Sequence, residues 1–369
     1  MQPGREFFIG AFTRDGYVFY DPITLLNEKD GARTRRVVVR GGTQFLRTRC
    51  MKRVAEKLQE KDMQIDIMAS ALDPNAIQSV GSAELGIAVI AEDDCSLSPS
   101  ACFGEDDSTT NIDLDDAFHS DKPILLPYSD DSGTELIPAL RAESQANERR
   151  ACHLLAAAAA LQTDAEEEWR DQLMESELTR VLEPWIQAVT AFRDPAERGR
   201  ERKFFADAVT SRGIVKHLDT LEMPRQWRIT GPWGVDVSYP LTRVRDAALS
   251  RGLDVFSSVD VVRPDRISHL LIPALGLFVT SEDDPGELSA PAQRSIDLRN
   301  VMPTHDVLSQ NTLRAVAFDE MMYNELIDRA AFALDLSKKA RERMDAHLEK
   351  RVDLARADRI ISEAIEQIL

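Results

Sequence analysis

No apolar run in this chain approaches the roughly 18 residues that a bilayer-spanning helix needs. The longest block of small residues, Ala156 to Ala160, sits among charges and reads as helix. The opening residues, MQPGREFFIGAF, lack a basic stretch followed by a long apolar core, so no secretory leader is expected. Cysteine is scarce. Cys50, Cys95, Cys102 and Cys152 show no metal-type pairing and read as free thiols in a reducing cytoplasm. The six histidines are scattered, with no His-x₃-His or Cys–His pairing, so nothing recommends a zinc centre or a nucleophile–histidine site. Positive charge is also in deficit: 45 Lys and Arg against 63 Asp and Glu leave a net charge of −18. Such a chain is repelled by phosphodiester backbones and anionic lipid, which argues against broad nucleic-acid or membrane-surface binding.

What the chain does have is a copy of itself. Arg5-Glu-Phe-Phe-Ile-Gly-Ala-Phe-Thr-Arg-Asp-Gly16 returns as Arg202-Lys-Phe-Phe-Ala-Asp-Ala-Val-Thr-Ser-Arg-Gly213, with six of twelve positions identical. Leu85-Gly-Ile-Ala-Val-Ile-Ala-Glu-Asp-Asp94 returns as Leu275-Gly-Leu-Phe-Val-Thr-Ser-Glu-Asp-Asp284, at a shift of 190 residues. At that shift Gly41 falls on Gly231, Pro74 on Pro264 and Ile77 on Ile267, and further along Ile112-Asp-Leu114 answers Ile296-Asp-Leu298. Matches in the same order point to a tandem repeat.

Each copy has the same predicted elements. A short strand near Phe7 or Phe204 runs into a Thr-x-x-Gly turn, where glycine supports a positive φ. A β-branched run, Val37–Val39 or Trp227–Ile229, predicts a buried strand, followed by the glycine loops Gly41-Gly42 and Gly231 to Gly234. Met51, Val54 and Leu58, or Leu241, Val244 and Ala248, then mark one apolar helix face. Strands are expected at Met63–Ile67 or Leu253–Phe256 and at Ile87–Ile90 or Leu277–Thr280, with Asp73-Pro74 or Arg263-Pro264 in the loop between. Strands alternating with helices imply a mostly parallel sheet with flanking helices. Each copy closes with a helical hairpin, about 137–192 and 307–369, turning near Glu175 and Val352. The expected units are therefore residues 1–195 and 196–369. The acidic stretch from Asp93 to Ser132 reads as a loop insertion.

A strand, Gly-Gly-x₄, a basic residue, Thr and an amphipathic helix is the layout of a P-loop. The run Phe7-Phe-Ile-Gly-Ala-Phe-Thr-Arg-Asp-Gly16, the run Arg40-Gly-Gly-Thr-Gln-Phe-Leu-Arg-Thr-Arg-Cys-Met-Lys-Arg53, and the segment from Asp73-Pro74 to Val89 together resemble a bacterial family of tandem P-loop ATPases. The resemblance covers nearly the whole chain, through the order of its motifs rather than through identity. It implies an α/β fold of two tandem P-loop NTPase-like units, each with its helical hairpin, and ATP with Mg²⁺ as ligand.

Departures from the motif decide what the resemblance is worth. A working P-loop, Gly-x₄-Gly-Lys-Ser/Thr, wraps phosphates with backbone N–H groups, neutralises charge with Lys and holds Mg²⁺ with the hydroxyl. The first copy, Gly41-x₄-Leu46-Arg47-Thr48, keeps the first glycine and the hydroxyl, but Leu46 replaces a glycine and Arg47 the lysine. The second, Gly231-x₄-Asp236-Val237-Ser238, places a carboxylate where phosphate would lie and supplies no charge at Val237. The family's strand-end Asp falls on Ala91 and Ser281, although Glu92-Asp93-Asp94 and Glu282-Asp283-Asp284 follow at once and a slip would restore a Mg²⁺ ligand.

Two readings stand open. In the first the protein is a cytoplasmic pseudo-ATPase that binds protein partners, with nucleotide or phosphate held only in the first copy by Gly41, Gly42, Arg47 and Thr48. In the second it is an active ATPase or phosphotransferase that uses Arg47 and the shifted acids. An enzyme requires N–H groups of the Gly41–Thr48 loop converging on one point and an acid within reach of Thr48; a scaffold requires neither.

Overall fold

The computed structural model describes residues 4–26, 34–92, 109–118, 136–170, 173–191, 197–281, 291–302 and 310–368. Sixteen strands and six α-helices are found among them. In the first copy these are β1 (Arg5–Phe8), the hairpin β2 (Gly10–Thr13) and β3 (Gly16–Phe19), β4 (Arg35–Arg40), α1 (Gln44–Glu60), β5 (Asp66–Ala69), β6 (Ile77–Ser82), β7 (Ile87–Ala91), β8 (Thr109–Asp113), α2 (Leu136–Arg170) and α3 (Glu175–Thr190). The second copy repeats the series as β9 (Glu201–Phe204), β10 (Asp207–Thr210), β11 (Gly213–Lys216), β12 (Arg225–Thr230), α4 (Ser238–Ser250), β13 (Val255–Val259), β14 (Ile267–Ile272), β15 (Leu277–Thr280), β16 (Arg294–Asp297), α5 (Gln310–Glu349) and α6 (Leu354–Ile368).

The two six-stranded sheets have the same topology, β1-β5-β6-β7-β4-β8 and β9-β13-β14-β15-β12-β16. All strands of each sheet run in one direction except a central one, β6 or β14, which runs against both its neighbours. Neither of these strands was expected: Ile77-Gln-Ser-Val-Gly-Ser82 and Ile267-Ser-His-Leu-Leu-Ile272 both fall between the loop predicted at Asp73-Pro74 or Arg263-Pro264 and the next predicted strand. Of the two buried hydroxyls of β6, that of Ser79 donates to the Val89 carbonyl at 2.8 Å. The strands Val37–Val39 and Trp227–Ile229 lie inside their sheets as expected. The first parts of the Met63 and Leu253 segments are outside strands, which begin at Asp66 and Val255. The expected insertion also contains structure: Thr109–Asp113 pairs with β4 at the sheet edge. Beyond that strand and the short turn after it, the insertion lies outside the described residues.

The repeated Thr-x-x-Gly segments form one and the same turn. Thr13 Oγ donates to the Gly16 carbonyl at 2.9 Å and accepts from Asp15 N; Thr210 does the same with Gly213 and Arg212. Gly16 and Gly213 take φ of +106° and +94°.

Each copy gives its helical hairpin to the other copy's sheet. Ala165 and Trp169 of α2, with Leu178, Leu182, Trp185 and Val189 of α3, pack in one core with Trp227, Ile229, Leu241, Val244 and Val279 of the second sheet and its helix. In return Ala357, Ile361, Ile365 and Ile368 of α6 pack with Val37, Val39, Met51, Val54 and Val89 of the first. The hairpins turn near the expected places, between α2 and α3 and between α5 and α6, but cover the opposite sheet. The long helices α2 and α5 make this crossing possible. They pack on each other through small side chains, Ala151, Ala158 and Ala159 against Ala330, Ala331 and Ala333, which let the two axes approach closely. Where charge is buried at that crossing it is paired: Glu148, with no exposed surface, accepts from Ser337 Oγ and is bridged to Arg341.

Candidate functional site

The site implied by the glycine loop lies at the C-terminal ends of the first sheet's strands, where open α/β sheets hold their ligands. Gly41 and Gly42 both take φ +65°, a conformation that other residues rarely adopt. Thr43 caps α1, its Oγ accepting from Leu46 N at 3.4 Å, and the helix begins at Gln44. The connection between β4 and α1 is thus Gly41-Gly42-Thr43 alone, and Arg47 and Thr48 lie inside the helix rather than in an encircling loop. Leu46, at the place of a motif glycine, is fully buried in the α1 core.

Carboxylates of the protein occupy the loop's donors. Gly42 N–H donates to Asp115 Oδ1 at 2.8 Å. A Cβ on Gly41 would stand 2.5 Å from the Asp115 carboxyl carbon, so the positive-φ glycines do admit an anion closely, and that anion is Asp115. Asp115 is itself fixed, its N–H donating to Asp113 Oδ1 while Leu114 N–H donates to the Arg40 carbonyl. Gln44 N–H, at the start of α1, donates to Asp345 Oδ2 at 2.9 Å, an acid brought from the other copy by α5.

Arg47 is 4% exposed and folds back on its own loop. Its Nη1 donates to the Gly41 and Gly42 carbonyls, both at 3.0 Å, and its Nη2 to Gln44 Oε1, while Nε is buried with no acceptor. Thr48 is partly buried in the second turn of the helix. Beside Arg47 a cleft of about 50 Å³ is lined by Gln44, Ser70, Asp73, Lys338, Arg341 and Asp345, among others. Lys338 of α5 closes one wall through an ion pair to Asp73 at 3.2 Å. Of the strand-end acids, Glu92 pairs with Arg40 at 3.6 Å. Asp93, Asp94, Glu282, Asp283 and Asp284 fall outside the described residues.

The second copy fills the corresponding place differently. Gly231 to Val237 separate β12 from α4, and Asp236 Oδ1 accepts from Ser238 N at 2.9 Å and Tyr239 N at 3.3 Å, capping the helix. Ser238 opens the helix, and its Oγ accepts from Ile267 N. The other Asp236 oxygen accepts from Arg266 at 2.6 Å. Above them α2 brings Glu166, 7% exposed, which bridges Arg263 at 2.6 Å and Arg266 at 2.8 Å. Ala165 sits so near Gly234 that a Cβ there would come within 2.6 Å of it, and Trp169 Nε1 donates to the Trp233 carbonyl.

The arrangement is thus reciprocal: α2 seals the second loop with Glu166 and α5 seals the first with Asp345. The structure brings Gly41, Gly42 and Arg47 together and leaves Thr48 one residue deeper in α1. Sequence reasoning missed Asp115, Asp345 and Glu166. For Asp115 a signal existed, since the repeated Ile-Asp-Leu segment ends at Leu114, the residue just before it.

No family model, no curated protein and no solved structure matches the chain.

Proposed function

We propose that this protein is a degenerate tandem P-loop NTPase-like protein that works as a binding or scaffold module and not as an ATPase. The observation that carries this reading is the occupation of the backbone donors at Gly42 and Gln44 by Asp115 and Asp345. A phosphate at those donors would meet carboxylates at close range. Each like-charge contact at about 4 Å costs on the order of 4 kcal/mol at an effective dielectric of 20. A helix N-terminus returns only about 0.3 to 2 kcal/mol. Arg47 would compensate only by giving up its hydrogen bonds to the Gly41 and Gly42 carbonyls. The cytoplasmic assignment is supported by the free thiols of Cys50 and Cys152.

A residual anion site in the first copy is favoured by Arg47, whose buried Nε has no acceptor and which lines the cleft shared with Lys338 and Arg341. Phosphate or a nucleotide phosphate held there would bind weakly and without turnover, since the motif lysine that would reach a γ-phosphoryl group is replaced. Steady-state ATP hydrolysis with Mg²⁺ tests the reading. Rates at the level of buffer are expected. Robust hydrolysis that Arg47→Ala abolishes would instead establish the active ATPase.

A further inference from the structure

The solvent face of α5 carries large apolar side chains that the equivalent face of α2 does not. Phe318, Met321 and Phe332 are 56%, 57% and 62% exposed. The two helices align with Ala151 and Leu155 on Ala330 and Leu334, and with Glu166 on Asp345. On that alignment Ala139, Ala142 and His153, all exposed, stand where α5 has Phe318, Met321 and Phe332. The fold therefore runs the same course without these apolar groups, and folding does not account for them. Phe318 and Phe332 lie one heptad before and one heptad after Glu325, so the three share a stripe that drifts by only about 20° per heptad. Met321 stands beside it, and Arg329 pairs with Glu325 at 2.6 Å in the middle.

We propose that this stripe is a homodimer interface, in which α5 of a second copy packs antiparallel across a two-fold axis near Glu325. A two-fold contact requires a surface complementary to itself, and this one is. With the axis at Glu325, Phe318 of one copy lies against Phe332 of the other, Met321 lies against the stem of Arg329, and the two Glu325 carboxylates, which meet at the axis, are each flanked by Arg329 of both copies. Apolar ends around a charge-balanced centre fix both register and direction, as in coiled-coil pairing. The face is one helix wide, so the dimer is a weak one, with Kd on the order of 1–100 µM.

Sedimentation velocity over a dilution series tests this, with circular dichroism and melting midpoint as controls for folding. The wild-type chain is expected to pass from monomer to dimer as concentration rises. Phe318→Asp and Phe332→Asp should each hold it monomeric with an unchanged melting midpoint, because both side chains face solvent in the monomer. Glu325→Arg alone and Arg329→Glu alone should also weaken the dimer. Mixing those two variants should restore it, since each supplies the charge that the other lacks. A wild-type chain that stays monomeric to about 100 µM, a dimer indifferent to both phenylalanine substitutions, or a mixture that fails to reassociate would each overturn the proposal.

Discussion

Phe8 and Phe205 hydrogen-bond to each other through their backbones, Phe8 N to Phe205 O at 2.8 Å and Phe205 N to Phe8 O at 2.9 Å. They are the same residue of the two repeats, so a pseudo-two-fold axis passes between them. Their neighbours Phe7 and Phe204 are likewise counterparts, with ring centroids 5.3 Å apart. Around that axis the inner faces of the two sheets share one core, Phe7, Ile9 and Met68 with Phe256, Leu271 and Phe278. The same symmetry makes the hairpin exchange reciprocal: each repeat needs the other to cover its sheet and to seal its glycine loop.

The two seals should differ in strength. Glu166, Arg263 and Arg266 form a largely buried charge cluster, and removing the carboxylate alone leaves two guanidinium groups without it. Glu166→Ala is expected to cost about 3–5 kcal/mol. The Lys338–Asp73 pair, which closes a wall of the cleft beside the Asp345 seal, is more open to water, its side chains 21% and 26% exposed. Lys338→Ala should cost no more than about 1 kcal/mol. Urea unfolding measures both, and equal costs would contradict the asymmetry.

Gly41 and Gly42 should resist substitution far more than Gly231. Alanine at Gly41 meets both a left-handed backbone and the Asp115 carboxylate, for a cost of about 1–3 kcal/mol. At Gly231 the backbone is not left-handed and the nearest atom to a new Cβ is Leu298 Cβ at 3.3 Å, so a small effect is expected. Combining Gly41→Ala with Asp115→Ala should recover the steric part and leave the backbone part. A double variant no more stable than Gly41→Ala would show that Asp115 is not what crowds the loop.

Much of the fold was legible. The repeats, the Thr-x-x-Gly turns and the apolar faces of α1 and α4 are local patterns, set by glycine conformation and by helical spacing. The strands β6, β8, β14 and β16 were not, because β6 is Ser- and Gly-rich, β14 carries Ser268 and His269 inside its apolar run, and β8 and β16 each bury a single isoleucine, Ile112 or Ile296. The exchange of hairpins was illegible for a different reason. Leu178, Leu182 and Trp185 make an apolar stripe that shows a sheet is covered and says nothing of which one. The seal by Asp345 follows from that exchange, so it too lay beyond sequence reading.

The cysteines in the described core should be inert. Burial pushes the Cys50 thiol up to about 12 and that of Cys152 up to about 11. At pH 8 the thiolate fractions are then on the order of 10⁻⁴ and 10⁻³, well below that of a free cysteine. Iodoacetamide followed by peptide mapping should find both unmodified in the folded protein and both modified in urea. Modification of Cys50 in the native state would mean that the α1 core opens readily.

The central claim is that the protein's own carboxylates hold the place of phosphate at the glycine loop. Calorimetric titration of Mg·ATP and of inorganic phosphate tests it directly, on the wild-type chain and on Asp115→Gly. The account predicts no saturable binding of either ligand to the wild-type chain at micromolar concentration. Binding should improve in Asp115→Gly, which frees Gly42 N–H, and Arg47→Ala should reverse the gain. Tight Mg·ATP binding to the wild-type chain, unaffected by Asp115→Gly, would contradict it.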